Sequence, residues 1–541
     1  MISPISHRPT GLIAPARMLL YGLFAIAILA SSAPCGTSAQ ASELYSSGGF
    51  DVRWDNTIRY SADVRLSAAN STLLSYLNSD DGDRNFAPGL ISNRLDLLSV
   101  VDLTMGDFGV QASVEAWYDT VYHARTANKS PVTYNPISVP NTQFARAVRN
   151  LEGQYADLGE TFAYGNFAVA GVPVSMRIGR QTLLWGESLF SDENGIAAAQ
   201  APVDYIKSVG APEGYSKDVF LPVDQLSITV QPQADISLSA YYQLEWRASR
   251  LPGVGSYFSD TDLQGAGTER AFLSPGTFLT HGKDETPPAS GQFGVSLHIA
   301  VDDLDLGLYA LRYNARYPIL KVEPYGGPIG SSGYAGEFES FYPTGISLYG
   351  ISFSTYLGDS NIAGELSARR HMPLVSISPV SLYVAAPIRN LNDNGYAEGD
   401  TLHAQIFSVT TLAPAAAWDS ADLSVEITAN DLLGVTQDRT ALSPSRDRFA
   451  SSVRALFEPH YFEVLPNLDA TLIFGLGYNA VGRSSTDYTQ NSGTGDFELG
   501  VSASYLSVWK ADLTLRSFLG APTHQALADR NFLVVSLERT F

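Results

Sequence analysis

The chain has 541 residues and carries 34 Lys and Arg against 55 Asp and Glu, a net charge of −21 at pH 7. A chain this acidic repels nucleic acid, so nucleic-acid binding is excluded as a function. The single cysteine is Cys35, so the sequence that follows it cannot form a disulfide, a thiol nucleophile or a thiolate metal site.

The N-terminal segment has the pattern of a secretory signal peptide. Arg8 and Arg17 supply positive charge, residues 18–30 are apolar, and residues 38–41 place small side chains before a cleavage site. We predict that residues 1–41 are a signal peptide that is cleaved after Ala41. The alternative is an uncleaved membrane anchor, although a span needs about 20 apolar residues.

Residues 50–66 alternate between apolar and polar side chains. Every even position from Phe50 to Leu66 is apolar except Asn56, and no odd position is apolar. A period of two produces a strand with one apolar and one polar face. The wall of a barrel that has lipid outside and water inside requires this pattern.

Seventeen further segments have strand character, and no stretch after residue 41 approaches 18 continuous apolar residues. The links between strands alternate between short turns and long loops, which is typical of outer-membrane barrels. We predict an all-β fold: a single transmembrane antiparallel β-barrel of about 18 strands (16 to 20) over residues 42–541, in the bacterial outer membrane. The predicted strands are 50–66, 94–105, 108–121, 155–167, 173–185, 223–231, 236–246, 292–300, 304–314, 344–356, 361–370, 402–412, 421–430, 448–457, 469–481, 495–506, 510–519 and 531–541.

The link at residues 186–222 departs from this rhythm. It combines an apolar run from Ile196 to Ala199 with Pro202 and several glycines. Because so apolar a loop is costly to leave in water, we predict that it inserts into the lumen and partly fills it, with a short helix near residues 195–200. The alternative is a structured external hairpin.

Six blocks of the sequence together form a recognisable pattern. They are 177–188, 201–205, 221–223, 242–246, 364–369 with 373–374, and 531–541. In this order they resemble the domain of unknown function 1302 family of proteobacterial outer-membrane proteins. The resemblance implies an outer-membrane β-barrel and no particular solute. The gene neighbourhoods of that family suggest two partners, a periplasmic protein like a lipid carrier and an inner-membrane permease.

The chain ends on Phe541 after an alternating segment, a pattern similar to the signal that the barrel assembly machinery reads. Arg539 stands where that signal usually has an apolar residue. We therefore expect the assembly machinery, outer-membrane lipid and lipopolysaccharide as partners.

The polar faces of the first strands supply the candidate channel lining, because a charge that faces the bilayer costs ~2–4 kcal/mol at mid-depth. These charges select solutes, or they pair across strands and stiffen the wall. We expect either Arg177 or Arg180, on opposite faces of one strand, to reach the lumen or the inserted loop. The predicted lining residues are Asp51, Arg53, Asp55, Arg59, Asp63, Arg65, Arg94, Asp96, Glu115, Asp119, Arg177 and Arg180.

The sequence shows no catalytic, cofactor or metal motif. The eight histidines have no ligand spacing, and the acidic segments 79–83 and 392–395 lack the spacing of a complete calcium loop, so we expect solvated loops there. We predict no enzyme, no cofactor and no metal.

The predicted function is a channel for the passive passage of small solutes, with hydrophobic ones among the candidates. The first alternative is a non-conducting barrel that serves as a docking platform for a periplasmic carrier and lipid export machinery. The second is an outer-membrane lipolytic enzyme that pairs His298 or His403 with a nearby serine.

Overall fold

The computed structural model describes residues 42–191, 193–210, 219–324, 332–381 and 395–541. The predicted signal peptide at residues 1–41 and most of the acidic segment 392–395 lie outside the described residues. The strands are β1 (Ser42–Ser47), β2 (Phe50–Arg65), β3 (Gly89–Met105), β4 (Phe108–Asp119), β5 (Gln154–Val169), β6 (Val172–Gln181), β7 (Val223–Gln233), β8 (Ile236–Gln243), β9 (Arg270–Ser274), β10 (Thr277–His281), β11 (Gln292–Val301), β12 (Leu304–Tyr313), β13 (Ile319–Pro324), β14 (Tyr334–Phe341), β15 (Ile346–Leu357), β16 (Ser360–Pro373), β17 (Glu398–Leu412), β18 (Ser420–Gln437), β19 (Phe449–Leu465), β20 (Leu468–Val481), β21 (Gly495–Tyr505), β22 (Trp509–Leu519) and β23 (Phe532–Thr540).

Eighteen of these strands form a closed antiparallel barrel. Neighbours follow the chain from β2 to β8, continue through β11, β12 and β15, and run on to β23. The barrel closes where β23 pairs with β2, from Thr57 opposite Thr540 to Arg65 opposite Phe532. This confirms the predicted all-β barrel of about 18 strands, and each of the 18 predicted segments overlaps one barrel strand.

The side chains of the wall alternate as the sequence pattern requires. On β2, Trp54 and Ile58 are exposed on the outer face, whereas Ser61, Asp63 and Arg65 on the other face are buried. Exposed outward aromatic side chains lie near both ends of the strands, as expected for the two interfaces of a bilayer. Those near the short turns include Phe50, Phe108, Phe167 and Tyr505, and those near the long loops include Tyr118, Tyr242, Phe293, Tyr349, Phe449 and Tyr478.

β1 belongs to the same sheet as the barrel strands but lies outside the closed cylinder. β2 extends beyond its pairing with β23, and its first residues pair instead with β1, with Ser47 opposite Phe50. Gly48 and Gly49 make the turn between them with positive φ of 65° and 82°. Because an unpaired strand edge exposes backbone hydrogen-bonding groups, β1 covers the part of β2 that β23 leaves open.

The two ends of the barrel differ. Short turns join the strands at one end (the turn end), and nine longer links lie at the other (the loop end). Among the described residues, no helix is both long and apolar enough to cross a bilayer. The longer links span 66–88, 120–153, 182–222, 244–291, 314–345, 374–397, 438–448, 482–494 and 520–531.

Two of the long links build a small separate sheet that the sequence did not predict. β10 pairs antiparallel with β9 and parallel with β14, which in turn pairs with β13. Its core contains Leu279, Val322 and Phe338. Other links carry single turns of helix at Leu73–Ser75, Asp81–Asn85, Val121–His123, Arg146–Val148, Arg149–Gly153, Ile196–Ala199, Tyr205–Gly210 and Arg439–Ala441.

Candidate functional site: the lumen and its inserted loop

The described part of residues 186–210, here called the inserted loop, lies against the inner face of the barrel. Its helical turn Ile196–Ala199 carries Ile196, which is fully buried in a cluster with wall residues such as Tyr241, Tyr309 and Leu348. This contact requires a small wall residue, because a side chain at Gly350 would meet Ile196 Cδ1 at 2.7 Å. The apolar run in the sequence is therefore explained by burial inside the barrel.

Two inward-facing carboxylates of the wall hold the start of this loop. Glu365 on β16 accepts the backbone N–H groups of Glu187 at 2.6 Å and Ile196 at 2.7 Å. Glu426 on β18 accepts those of Leu189 at 2.8 Å and Phe190 at 3.1 Å. Hydrogen bonds to an ionised acceptor are stronger than neutral ones, so these four contacts fix the loop against one side of the wall.

Gly186 lets the chain approach Glu365 closely. It adopts a positive φ of 92°, and an added Cβ would lie 2.1 Å from Glu365 Oε2. Arg369, two residues further along β16, donates to the carbonyls of Glu193, Asn194 and Gly195 at 2.8–3.1 Å. Glycine, carboxylate and guanidinium together determine the path of this segment.

The end of the inserted loop is bound to the wall by charge. Lys207 forms an ion pair with Glu115 on β4, and Asp204 pairs with Arg250 at 2.5 Å. Arg250 also pairs with Glu115 at 3.4 Å and with Asp157 on β5 at 3.2 Å. Four chain segments therefore meet in one ion network inside the barrel: β4, β5, the inserted loop and the link after β8.

Loops also fill the interior beside β23, β2, β3 and β4 (the filled arc). Phe86, Phe144, Val148 and Tyr257 from three long links pack against the inward side chain of Phe532. The sequence suggested only one inserted loop. The other insertions escaped it because their apolar residues are isolated among polar ones and form no run.

Four buried charges join this packing to the closing strands. Arg530 pairs with Asp83 at 2.6 Å and Asp529 at 3.5 Å, and Arg65 pairs with the same two aspartates at 3.6 and 3.2 Å. Both guanidinium groups lie over the ring of Tyr257, at 5.5 and 5.6 Å from its centroid. Burial, together with the hydrogen bond and charge of the neighbouring Asp83, raises the pKa of Asp529 to about 6. We call this group the seam cluster.

Further buried acids lie in the loops of the same region. Burial raises the pKa of Glu152, in the link between β4 and β5, to about 7. Desolvation also raises the pKa of Asp81 and Asp262 well above the ordinary range, with nearby aspartates adding to the effect.

A cavity of about 930 Å³ lies between the inserted loop and the wall of β19–β22 (the open arc). This volume is in the range of sites that hold one small molecule. Wall charges meet there: Asp496 accepts from Arg454 at 2.6 Å and pairs with Arg516 at 3.4 Å. Apolar side chains also face the cavity, among them Phe190, Val209, Phe258, Ile319, Met372 and Phe518.

A short chain of hydroxyl groups crosses the loop side of the cavity. The Tyr317 hydroxyl donates to the Tyr488 hydroxyl at 2.8 Å, and Tyr488 donates to Asp260 at 2.9 Å. Tyr205 packs edge-on against Tyr317 with ring centroids 5.8 Å apart. The cavity is therefore amphipathic, with phenol and aromatic surfaces opposite a charged wall.

The predicted lining residues divide into two groups. Near the turn end, Arg53 is exposed, and Asp51, Asp55 and Arg59 are partly exposed on the inner face of β2. Nearer the loop end, three of the others are buried: Asp63, Arg65 and Asp119, with Arg65 in the seam cluster.

The strand that follows brings predicted residues into contact. Arg59 lies opposite Asp96 in the register of β2 and β3, and Arg94 pairs with Asp96 at 2.5 Å. Arg94 also stacks over Trp117, 4.3 Å from the ring centroid. Glu115 belongs to the ion network of the inserted loop.

Arg177 and Arg180 both contact inward-facing groups. Arg177 is exposed on the inner face and lies 5.3 Å from the ring centroid of Phe162. Arg180 follows Gly179, whose φ is 126°, and it pairs with Glu245 at 3.2 Å and Asp157 at 3.7 Å.

The two histidines considered for lipolysis make other contacts. His403 contacts Thr401 and Asn194 at 3.0 Å each, and it therefore helps to hold the inserted loop. His298 contacts Asp305 at 3.4 Å and the Tyr309 hydroxyl at 3.3 Å.

The chain is similar to several solved structures and to one protein-family model. Among solved structures the chain is similar to the crystal structure of Acinetobacter baumannii OccAB4, with 8% identity, a TM-score of 0.44, and coverage of 93% of this chain and 100% of that one. It is also similar to Acinetobacter baumannii OccAB1, with 11% identity, a TM-score of 0.43 and coverage of 93% and 99%. A third is Pseudomonas aeruginosa OpdK with vanillate, with 10% identity, a TM-score of 0.38 and coverage of 91% and 98%.

No curated protein matches the chain. The family model DUF1302, described as a protein of unknown function, matches residues 22–541. This range includes every barrel strand, so the chain belongs to the DUF1302 family.

Proposed function

We propose that the protein is an outer-membrane channel for the passive passage of small solutes, and that solutes with an apolar part are preferred. The cavity beside the open arc is the observation that carries this proposal. It lies inside a closed wall whose outer face is apolar, and it is the size of one small molecule.

The lining of the cavity supports a selective rather than a general channel. The inserted loop narrows the lumen and brings Phe190 and Val209 to the cavity that Arg454, Asp496 and Arg516 also line. Apolar surface favours transfer of a hydrophobic part out of water, and the charges orient the polar part. A wide water-filled pore offers no such surface.

In the proposed orientation the turn end faces the periplasm. Short periplasmic turns and long external loops are the usual arrangement of bacterial barrels. The periplasmic carrier, the permease and the barrel assembly machinery, with Phe541 as its signal, are proposed partners at that end. Lipopolysaccharide is the proposed partner at the loop end.

The test is ion conductance in planar bilayers. We expect the purified chain to conduct, and a variant lacking residues 190–215 to conduct more because the lumen loses its obstruction. A deletion of residues 322–341, in the small sheet of the long links and clear of the cavity lining, is the control. Absence of conductance in both the full chain and the 190–215 deletion would refute the channel.

A docking platform is the second candidate, favoured by the loops that fill the interior of the filled arc. The same recordings separate the two functions. A chain that binds the periplasmic carrier in a pull-down but conducts in neither form is a platform.

A further inference from the structure

Three aspartates from two distant links converge near the loop end. Asp80 lies directly before the helical turn Asp81–Asn85, and Asp81 is the first residue of that turn. Asp262 comes from the link between β8 and β9. Each offers a carboxylate oxygen within 4.8 Å of the others, and none is more than 1% exposed. Calcium binds oxygen at 2.3–2.6 Å, so oxygens at this separation can contact one ion.

Ion pairs balance the charge of this cluster only in part. Asp80 pairs with Arg84 through Oδ2, and its carboxylate also interacts with the Thr133 hydroxyl. Asp81 accepts the N–H of Asn135 at 2.9 Å, and Asp262 accepts the N–H of Asp81 at 3.3 Å. The Oδ1 atoms of Asp81 and Asp262 are buried and have no hydrogen-bond partner among the residues that the structure describes. Within the same residues Arg270 and Arg530 attract Asp81 and Asp262 without forming an ion pair with them, so negative charge remains that a divalent cation would neutralise.

A neutral side chain gives the second, independent indication. Asn135 is fully buried and adjoins Asp81 through its backbone N–H. Its Nδ2 donates to Asn78 Oδ1 at 3.1 Å and to the carbonyl of Arg270 at 2.9 Å, whereas its Oδ1 has no partner within the described part of the chain. A buried carboxylate can take up a proton, but an amide oxygen cannot, so only a donor or a cation satisfies it.

We propose that Asp80, Asp81 and Asp262, with the amide oxygen of Asn135, bind one calcium ion. Hard oxygen ligands of mixed carboxylate and amide type suit this ion, and the flexible coordination of calcium tolerates ligands from separate loops. Magnesium is disfavoured, because it retains several waters in a strict octahedron and these carboxylates are buried away from solvent. The ion would join the β2–β3 and β8–β9 links beside the seam cluster.

The test is calorimetric titration of the chelator-treated full chain in detergent with calcium chloride. We expect one ion per chain, at least tenfold weaker binding in Asp81→Asn and in Asp262→Asn, and unchanged binding in Asp487→Asn. Asp487 lies in another long link and caps Thr489, so the control makes the same change outside the cluster. Calcium should raise the Tm of the native chain and not that of Asp262→Asn, and magnesium should not replace it.

Other outcomes overturn the site. Absence of saturable binding, or binding that survives both substitutions, means an adventitious ion only. A higher Tm of Asp81→Asn with no calcium effect in the native chain means that the aspartates share protons instead. If neither aspartate variant folds, Asn135→Ala decides: severalfold weaker binding supports the site and unchanged affinity excludes it. Conductance is a separate measurement, so this test is independent of the channel proposal.

Discussion

The two wall carboxylates that hold the inserted loop provide the sharpest test of how the lumen is narrowed. In the double variant Glu365→Ala/Glu426→Ala, the barrel strands keep their backbone pairing, but the loop loses four hydrogen bonds to ionised acceptors. The perturbation therefore acts on the loop and leaves the wall intact.

The expected effect follows from the number of bonds. Each hydrogen bond to a charged group contributes about 1.5–3 kcal/mol, so the four together contribute about 6–12 kcal/mol. A change of 1.4 kcal/mol already shifts an equilibrium tenfold. In the double variant the contacts of Arg369 and Ile196 with the loop remain. We therefore expect the loop to detach from the wall for part of the time and not permanently.

The assay is single-channel recording, combined with limited proteolysis of residues 186–210. We expect a larger mean conductance, frequent transitions between two levels, and faster cleavage than in the native chain. Glu269→Ala is the matched control, because Glu269 accepts the N–H groups of Ile137 and Ser138 far from the inserted loop. A folded double variant with native conductance and native proteolysis would show that these carboxylates do not hold the loop.

Three further predictions concern buried charge. Arg530→Met leaves the two aspartates of the seam cluster poorly compensated, so urea titrations should show a free energy of unfolding about 3–5 kcal/mol lower. The control Lys321→Met, which breaks an exposed ion pair, should lower it by under about 1 kcal/mol. Equal effects of the two substitutions would contradict the reasoning. Burial raises the pKa of Glu152 from its ordinary value of 4.5 to about 7, so the folded chain keeps this proton at pH values where the unfolded chain has lost it. As pH rises through this window, the free energy of unfolding of the native chain should fall by about 3 kcal/mol relative to that of Glu152→Gln. Parallel pH profiles of unfolding for the two chains would refute this. Asp496→Asn removes a negative charge from the cavity and should therefore raise the permeability for anions relative to cations. The measurement is the reversal potential across a salt gradient. An unchanged reversal potential would place the conducting path elsewhere.

The barrel could be predicted because lipid imposes one rule on every strand. A period of two identifies each strand, and the alternation of short and long links orders them. Strand ends near the long loops were less accurate: β18 runs to Gln437, seven residues beyond the prediction. These strand ends extend beyond the hydrocarbon region into water, so their outer face does not have to be apolar and the alternation no longer marks where the strand ends.

Contacts between loops could not be predicted in the same way. β10 pairs with β14, which belongs to a different link, and neither strand has a sequence feature that identifies its partner. The sequence predicts a solvated loop for the acidic segment 79–83, and this is wrong, because Asp80, Asp81 and Asp83 are buried. Asp262, which meets the first two, lies far away in sequence. Only the fold brings them together, because the closed wall confines all the long links to one end.

The division of the interior into a filled arc and an open arc has a consequence for how the protein can change. Substitutions along β19–β22 alter the lining of the cavity, and they leave the packing that closes the cylinder unaffected. Substitutions along β23, β2, β3 and β4 do the reverse. Cavity lining and closure are thus assigned to two adjoining arcs of one wall, so the cavity can differ between related chains while the cylinder stays closed.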